Sequence, residues 1–415
     1  MWQDLFRRAD LITRLSQSPW SPYLDEFVTF LGPQHYSTGT IRRALVAADH
    51  FACWLAQRQL SLSDTSATVV AQYRDSLGRC PSGSRPERSR GVLLAVGFLE
   101  HKRVILPSPP ALPETPAIRW LNRFDEHLER VAGAAASTRR QYHLIAARFL
   151  QQRFGATEPE WPQVCADDLS SFAQSEATRR KGFGRKVPAV ALRAFLRFLV
   201  AHGCIRDGLA AAIPSPRQYQ HATLPDRATT EQVNAVLACC QDGTAVALRD
   251  YAVLLLLVRL GLRALEVVRL TFDDVDWRGG VLLVRAGKTR RERRLPLTEE
   301  VGSALVAYIR SGRPSTSTRA IFLHAQPPHR PWRGASAVSQ LVHRRLLQSG
   351  YPAQPWRGAH LFRHTVASQM VNAGVSFKDV ADVLGHQSLA TTGLYAKLDL
   401  DKLNGVALPW PGGKV

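Results

Sequence analysis

Four separated motifs place chemically capable side chains in the C-terminal half of the chain. Gly261-Leu-Arg-Ala-Leu-Glu266 sets Arg263 at a turn between helical segments, and Lys288 sits within the polar stretch Ala286-Gly-Lys-Thr-Arg-Arg-Glu292. His360-Leu-Phe-Arg-His364 puts His360, Arg363 and His364 on one helical face, because residues three and four apart are neighbours on a helix. Leu384-Gly-His-Gln-Ser-Leu-Ala-Thr-Thr-Gly-Leu-Tyr395 adds the imidazole of His386 and the phenol of Tyr395. Together these residues join fixed cations, suited to holding an anion, with groups that titrate. Lys288 is the only lysine between Lys186 and Lys378 in a chain that otherwise uses arginine, which points to a need for an ammonium able to release a proton. Two histidines four apart also raise zinc. The general-base glutamate of H-E-x-x-H is missing and Arg363 would repel a cation, so no metal and no cofactor are expected.

The elements that must position these residues are legible around them. Thr229-Thr-Glu-Gln-Val opens a helix with hydroxyl caps, and Tyr251 to Leu260 reads as a buried helix stopped by Gly261. Val281-Leu-Leu-Val284 and Arg294-Leu-Pro-Leu297 flank the Lys288 stretch as two strands of a hairpin with a long tip. A Ser376-Phe-Lys-Asp379 cap starts a further helix, Gly385 ends it, and a short helix carrying Tyr395 follows. Residues 226–415 are therefore expected to form an α+β domain with little sheet.

At these residues the sequence resembles the tyrosine recombinase, or phage integrase, family. The resemblance is close over 226–410 and looser over 117–212. The family's order of Arg, Lys, His-x-x-Arg, His or Trp, and Tyr is filled by Arg263, Lys288, His360, Arg363, His386 and Tyr395. It implies an enzyme that breaks and rejoins DNA without metal or ATP. Tyr395 would attack phosphorus to give a 3′-phosphotyrosyl link. Arg263 and Arg363 would clamp the phosphoryl oxygens, and Lys288 would protonate the leaving 5′ oxygen. His360 would exchange a proton with the tyrosine and His386 would hydrogen-bond the phosphate. Glu266 and His364 are assigned supporting rather than chemical roles. Phe362 departs from the family's common leucine. Gly393, inside the tyrosine helix, is expected to let that segment detach.

Composition agrees with a polyanionic partner. The chain has 415 residues, 54 Lys+Arg against 34 Asp+Glu, and a formal charge of +20. Only 8 of the 54 cations are lysine, and arginine is the better bidentate phosphate ligand, which favours double-stranded DNA over a membrane surface. With 45% hydrophobic residues the chain can build real cores, so overall disorder is excluded. The apolar run Tyr251 to Val258 is far short of a membrane span of about 20 residues. The N-terminus lacks a secretory pattern, and Cys53, Cys80, Cys165, Cys204, Cys239 and Cys240 include no C-x-x-C, so reduced thiols and a cytoplasmic, nucleoid-associated bacterial protein are expected.

Two proline-rich seams, 106–116 and 213–225, divide the chain. Between them 117–212 reads as a helical core-DNA-binding (SAM-like) domain, with apolar stripes Trp120, Phe124, Leu128, Val131 and Val190, Leu192, Phe195, Leu196, Phe198, Leu199. Residues 1–105 form an N-terminal helical module, readable as a diverged copy of the next: a shift of 98 positions superposes Thr40, Arg42, Ala48 and Phe51 on Thr138, Arg140, Ala146 and Phe149. The whole is expected to be mainly α, with helical DNA-clamp modules before the catalytic domain. Arg139, Arg140, Arg179, Arg180, Lys181, Arg185 and Lys186 are the candidate phosphate contacts. The family implies a homo-tetramer on two DNA sites, alone or with related recombinases, serving a bacterial mobile element. Alternatives are a catalytically weak accessory DNA-binding protein of the same fold and a type IB topoisomerase-like relaxing enzyme. Target sequence, the choice among integration, excision and dimer resolution, directionality factors, and cis or trans delivery of the tyrosine are not encoded in any of these motifs.

Overall fold

The computed structural model describes residues 2–77, 85–105, 115–180, 182–215, 227–285, 292–351 and 358–386. It is mostly helical with one small antiparallel sheet, as the sequence pattern requires. Backbone contacts group the chain into two compact units, 1–46 with 221–415, and 47–220. The segment 1–105, read from sequence as one module, is thus shared between the two units.

In the first unit, α1 (Ala9–Ser16) and α2 (Leu24–Leu31) bury Leu15, Trp20, Phe27 and Leu31 completely. α3 (Thr38–Ala56) begins in this unit. The ring of His35, just before α3, lies 5.9 Å from that of His329, so the N-terminal segment touches the C-terminal region of the same unit.

The second unit holds two separate cores. α4 (Ala67–Ser76) and α5 (Arg85–His101) follow α3, and Phe51, Trp54, Leu55, Val70, Tyr73, Leu77 and Val92 form the first core. Next come α6 (Pro116–Arg130), α7 (Ala136–Phe154), α8 (Ala166–Thr178) and α9 (Val187–Ala201). Their core is aromatic: Phe124, Phe149, Phe172, Phe195 and Phe198 are buried, and Trp120 packs edge-on against Trp161 at 5.0 Å. Two residues of the expected stripes fall outside it. Val131 is 72% exposed because α6 ends at Arg130, and Val190 is 43% exposed on the outer face of α9. α3 and α7 are each 19 residues long, offset by the expected 98 positions, and Phe51 and Phe149 are both buried.

The C-terminal part of the first unit is built on α11 (Ala245–Val258), which follows α10 (Thr230–Ala238). Thr229 caps α10 and receives the Gln232 amide, the reciprocal box expected from the hydroxyl-rich start. Residues Leu254 to Leu257 are wholly buried, so the last turns of α11 are apolar on every face and the helix serves as the central post. α12 (Ala264–Arg269) is followed by the sheet, ordered β1 (Val275–Asp276), β2 (Val281–Val284), β3 (Arg293–Pro296). β2 and β3 are the expected hairpin; β1, two residues long, was too short to be read from alternation. α13 (Glu299–Ala307), α14 (Ala335–Gln348), α15 (Ala359–Asn372) and α16 (Phe377–Leu384) complete the domain. A buried carboxylate, Asp250, ties α11 to α14: Arg249, Arg344 and Arg345 all donate to it at 2.8–3.1 Å. Among the described residues no helix is long and apolar enough to cross a membrane.

Candidate active site

The site forms where three chain turns meet: the exit of α11, the start of α15 and the exit of α16. Gly261 leaves α11 with φ +60°, a left-handed conformation that costs most residues but not glycine. A Cβ there would also sit 2.7 Å from Leu384 Cδ2, so the turn and α16 pack as closely as backbone allows. Gly385 ends α16 with φ +64°, as the sequence predicts, and His386 closes the turn by donating its backbone N–H to Ala381 at 2.8 Å.

These turns expose carbonyl oxygens at the negative ends of two helices, and two arginines are drawn to them. Arg363, on α15 and only 4% exposed, donates from Nη1 to the Gly261 carbonyl at 2.7 Å and from Nη2 to the Leu384 carbonyl. Arg263, which precedes α12, donates from Nη2 to the Gly385 carbonyl at 2.9 Å. Residues 122 positions apart in sequence are thereby joined. Midway along α15, Thr365 accepts a bond from the Ala228 amide at 2.9 Å, fixing the helix against the domain's first residues.

Glu266 organises the charge. It accepts from the Arg263 backbone at 2.8 Å and from Arg263 Nη1 at 2.8 Å. It also accepts both terminal nitrogens of Arg293, at 3.0 and 2.8 Å. Burial alone would raise its carboxyl, but the two guanidiniums and the backbone donor prevail and hold it at about 2. Among the described residues, three guanidiniums against the one carboxylate of Glu266 give the site a positive surplus, a setting made for an anion.

The histidines respond to that field. His386 is 6% exposed, and desolvation, then Arg363 and Arg263, push its imidazole down to about 4. His360 is shifted in the same direction, first by desolvation and then by the same two arginines. With both imidazoles held below their ordinary value, the neutral form prevails near pH 7. His364, half-buried, has its ring 6.4 Å from that of His360.

Arg263, His360, Arg363 and His386 are therefore brought together. Lys288 and Tyr395 lie outside the described residues, as do Gly393, Lys181 and Cys80. Sequence reasoning missed Arg293. The signal was there: in a strand, residues two apart share a face, and Arg293 stands two before the buried Leu295.

The candidate phosphate contacts belong to the second unit. Arg179 and Arg180 both pair with Glu176, at 3.0 and 2.6 Å, and Arg148 joins them at 3.0 Å. Arg139 pairs with Glu129 at 2.5 Å and Asp125 at 3.5 Å. Arg140 and Arg185 are exposed, and Lys186 is half-buried at the start of α9. The sequence reading makes these candidate phosphate contacts and gives no sign of carboxylate partners; the fold ties Arg139, Arg179 and Arg180 to carboxylates on their own unit.

Comparison with known proteins bears on the whole arrangement. Residues 226–401 match the model of the phage integrase family, a span that includes Lys288 and Tyr395. The chain is 32% identical over 409 residues to a putative integrase/recombinase of Sinorhizobium fredii, covering 98% of each chain. It is 29% identical over 272 residues to the tyrosine recombinase XerC of Lactobacillus delbrueckii subsp. bulgaricus, covering 63% of this chain and 88% of that one. A solved structure of the XerH site-specific recombinase, bound to palindromic difH substrate as a post-cleavage complex, superposes with a TM-score of 0.54. That match is 19% identical and covers 71% of this chain and 87% of the other, so it speaks for the fold. With a relative 32% identical over 98% of both chains, the chain belongs to the phage integrase family, the tyrosine recombinases.

Proposed function

We propose that the chain cleaves and rejoins double-stranded DNA through a 3′-phosphotyrosyl intermediate on Tyr395. The observation that carries this reading is the convergence of Arg263, Arg363, His360 and His386, from three distant turns, on one site with surplus positive charge. Arg263 and Arg363 hold the non-bridging oxygens of the scissile phosphate. Their attachment to helix-end carbonyls fixes them before substrate arrives, which lowers the reorganisation needed at the transition state. His360, neutral in this field, takes the phenolic proton as Tyr395 attacks phosphorus. The bond to the 5′ oxygen breaks as the tyrosyl bond forms, and Lys288 protonates that oxygen. His386 donates a neutral hydrogen bond to the phosphate. Because one ester replaces another, a 5′ hydroxyl from a partner strand reverses the step without ATP.

The helical modules, including Arg139, Arg140, Arg179, Arg180, Lys181, Arg185 and Lys186, grip the duplex through its phosphates. The functional assembly is a homo-tetramer on two DNA sites, alone or with related recombinases, acting for a mobile element. The domain limits 1–105, 117–212 and 226–415 follow from the proline-rich seams. The decisive experiment traps covalent protein–DNA adducts on host genomic DNA and sequences their ends. Adducts clustering at defined sites, and absent with Tyr395→Phe, are expected. Adducts that persist with Tyr395→Phe would remove Tyr395 from the chemistry.

A further inference from the structure

Arg293 is a charged side chain to which the cleavage chemistry gives no task. It opens β3, pairs across the sheet with Val284, and follows Lys288 by five positions in sequence. Its side chain is 8% exposed, although it lies on the edge strand of a three-stranded sheet. Both terminal nitrogens go to Glu266, the carboxylate that also holds Arg263 by its backbone and its guanidinium. A Cβ on Gly385 would lie 2.9 Å from Arg293 Nη1, so the guanidinium lies directly beneath the turn that leads to His386.

Stability alone is a poor account of this burial. Buried ion pairs commonly do no better than apolar groups of equal volume, since desolvation offsets attraction. Among the described residues Arg293 Nε finds no hydrogen-bond partner, a further cost of keeping a guanidinium here. What an apolar side chain could not do is fix Glu266 from two directions. Glu266 gripped only by Arg263 could swing with it; a carboxylate held in a planar fork by Arg293 cannot.

We propose that Arg293 is a positioning residue for strand cleavage: through Glu266 it sets the direction of the Arg263 guanidinium, and by its contact at Gly385 it joins the strand following Lys288 to the turn bearing His386. This rests on the reading of Arg263 and Tyr395 as cleavage residues. In this reading Arg293 acts on the reaction only through Glu266, Arg263 and the Gly385 turn, and that makes the effect separable from a simple role in folding.

The test uses the full chain and a nicked duplex built from the ends sequenced in trapped adducts, under single-turnover conditions. Arg293→Met is expected to slow adduct formation about 100-fold, the scale of a small misplacement, with affinity for the duplex within about twofold. Arg293→Lys, a point charge without the fork, should recover only part of the rate. In an Arg263→Ala background, Arg293→Met should cost less than about threefold more, because both act on one interaction. A wild-type rate in Arg293→Met overturns the proposal, and so does a full multiplicative loss in the Arg263→Ala background. If Arg293→Met shows no cooperative melting, Arg293→Lys carries the test, and a wild-type rate there overturns it equally. Failure of the underlying reading looks different: the wild-type chain itself would then form no Tyr395-dependent adduct.

Discussion

Arg363 Nη1 donates to the carbonyl of Gly261 at 2.7 Å, across 102 residues of sequence. The bond makes the exit of the buried helix α11 a direct support for an arginine of the site. It also explains why that exit is a left-handed glycine: only a backbone without Cβ can present this carbonyl while lying against Leu384.

Gly261→Ala therefore meets two penalties at once. A left-handed alanine costs about 1–2 kcal/mol. Overpacking against Leu384 and Val366 adds about 1–3 kcal/mol. We expect the melting midpoint in urea to fall and cleavage in the surviving folded fraction to fall further, because relief of the clash moves the carbonyl that Arg363 grips. A variant that loses stability yet cleaves normally per folded molecule would show that Arg363 does not depend on this bond.

The depressed histidines give a pH dependence of definite sign. The His386 imidazole moves from 6.5 to about 4 on folding, so the unfolded chain binds more protons between those values. Its contribution to stability is present above pH 6.5 and is lost as pH falls through about 4; at 1.36 kcal/mol per unit it amounts to about 3 kcal/mol. His360 acts in the same direction. Glu266 adds a separate acid limb, present above 4.5 and lost as pH falls toward about 2. Urea unfolding between pH 7 and pH 4 should show stability declining with pH in the wild type and declining less in His386→Gln. An identical slope in that variant would mean that His386 titrates normally.

The parts of this site that could be read in advance share one property: each depends on local chemistry. Gly261 and Gly385 stop helices, Ser376 and Thr229 start them, and His360 and Arg363 share a face by helical period. What was hidden depends on long-range packing. The period of β3 turns Arg293 to the side of buried Leu295, but nothing in the sequence pairs it with Glu266, 27 residues away, and nothing around Asp250 announces Arg344 and Arg345. Val131 and Val190 misled for the opposite reason: period alone continues a stripe past the point where the helix, or its covered face, has ended.

Asp250 provides a test of that long-range packing. Its carboxylate is fully buried and receives Arg249, Arg344 and Arg345, with Arg345 also donating to the Cys239 carbonyl at 2.8 Å. Asp250→Asn leaves buried guanidiniums without their counter-charge and should destabilise the fold by about 3–5 kcal/mol. The site itself is not touched, so at low temperature, where the chain is folded, adduct formation per folded molecule should stay near wild type. A cleavage defect at full folding would place this cluster in the reaction instead.

The cation cluster around Glu176 yields the last expectation, on DNA. Arg148, Arg179 and Arg180 converge on a carboxylate whose side chain is 2% exposed, while Arg179 itself remains 69% exposed. A buried carboxylate that gathers three arginines orders them without cancelling their charge, leaving Arg179 and the exposed Arg185 able to meet phosphates. Replacing Arg179, Arg180, Lys181, Arg185 and Lys186 with glutamine should weaken binding to every duplex alike. For each phosphate that is no longer neutralised, the log–log slope of affinity against salt should flatten by about 0.9. The measurement is affinity for a target and a scrambled duplex across a salt series. Equal losses and a flatter slope are the phosphate signature; a loss confined to the target would mean that these side chains read bases, because interactions with the DNA backbone carry no sequence information.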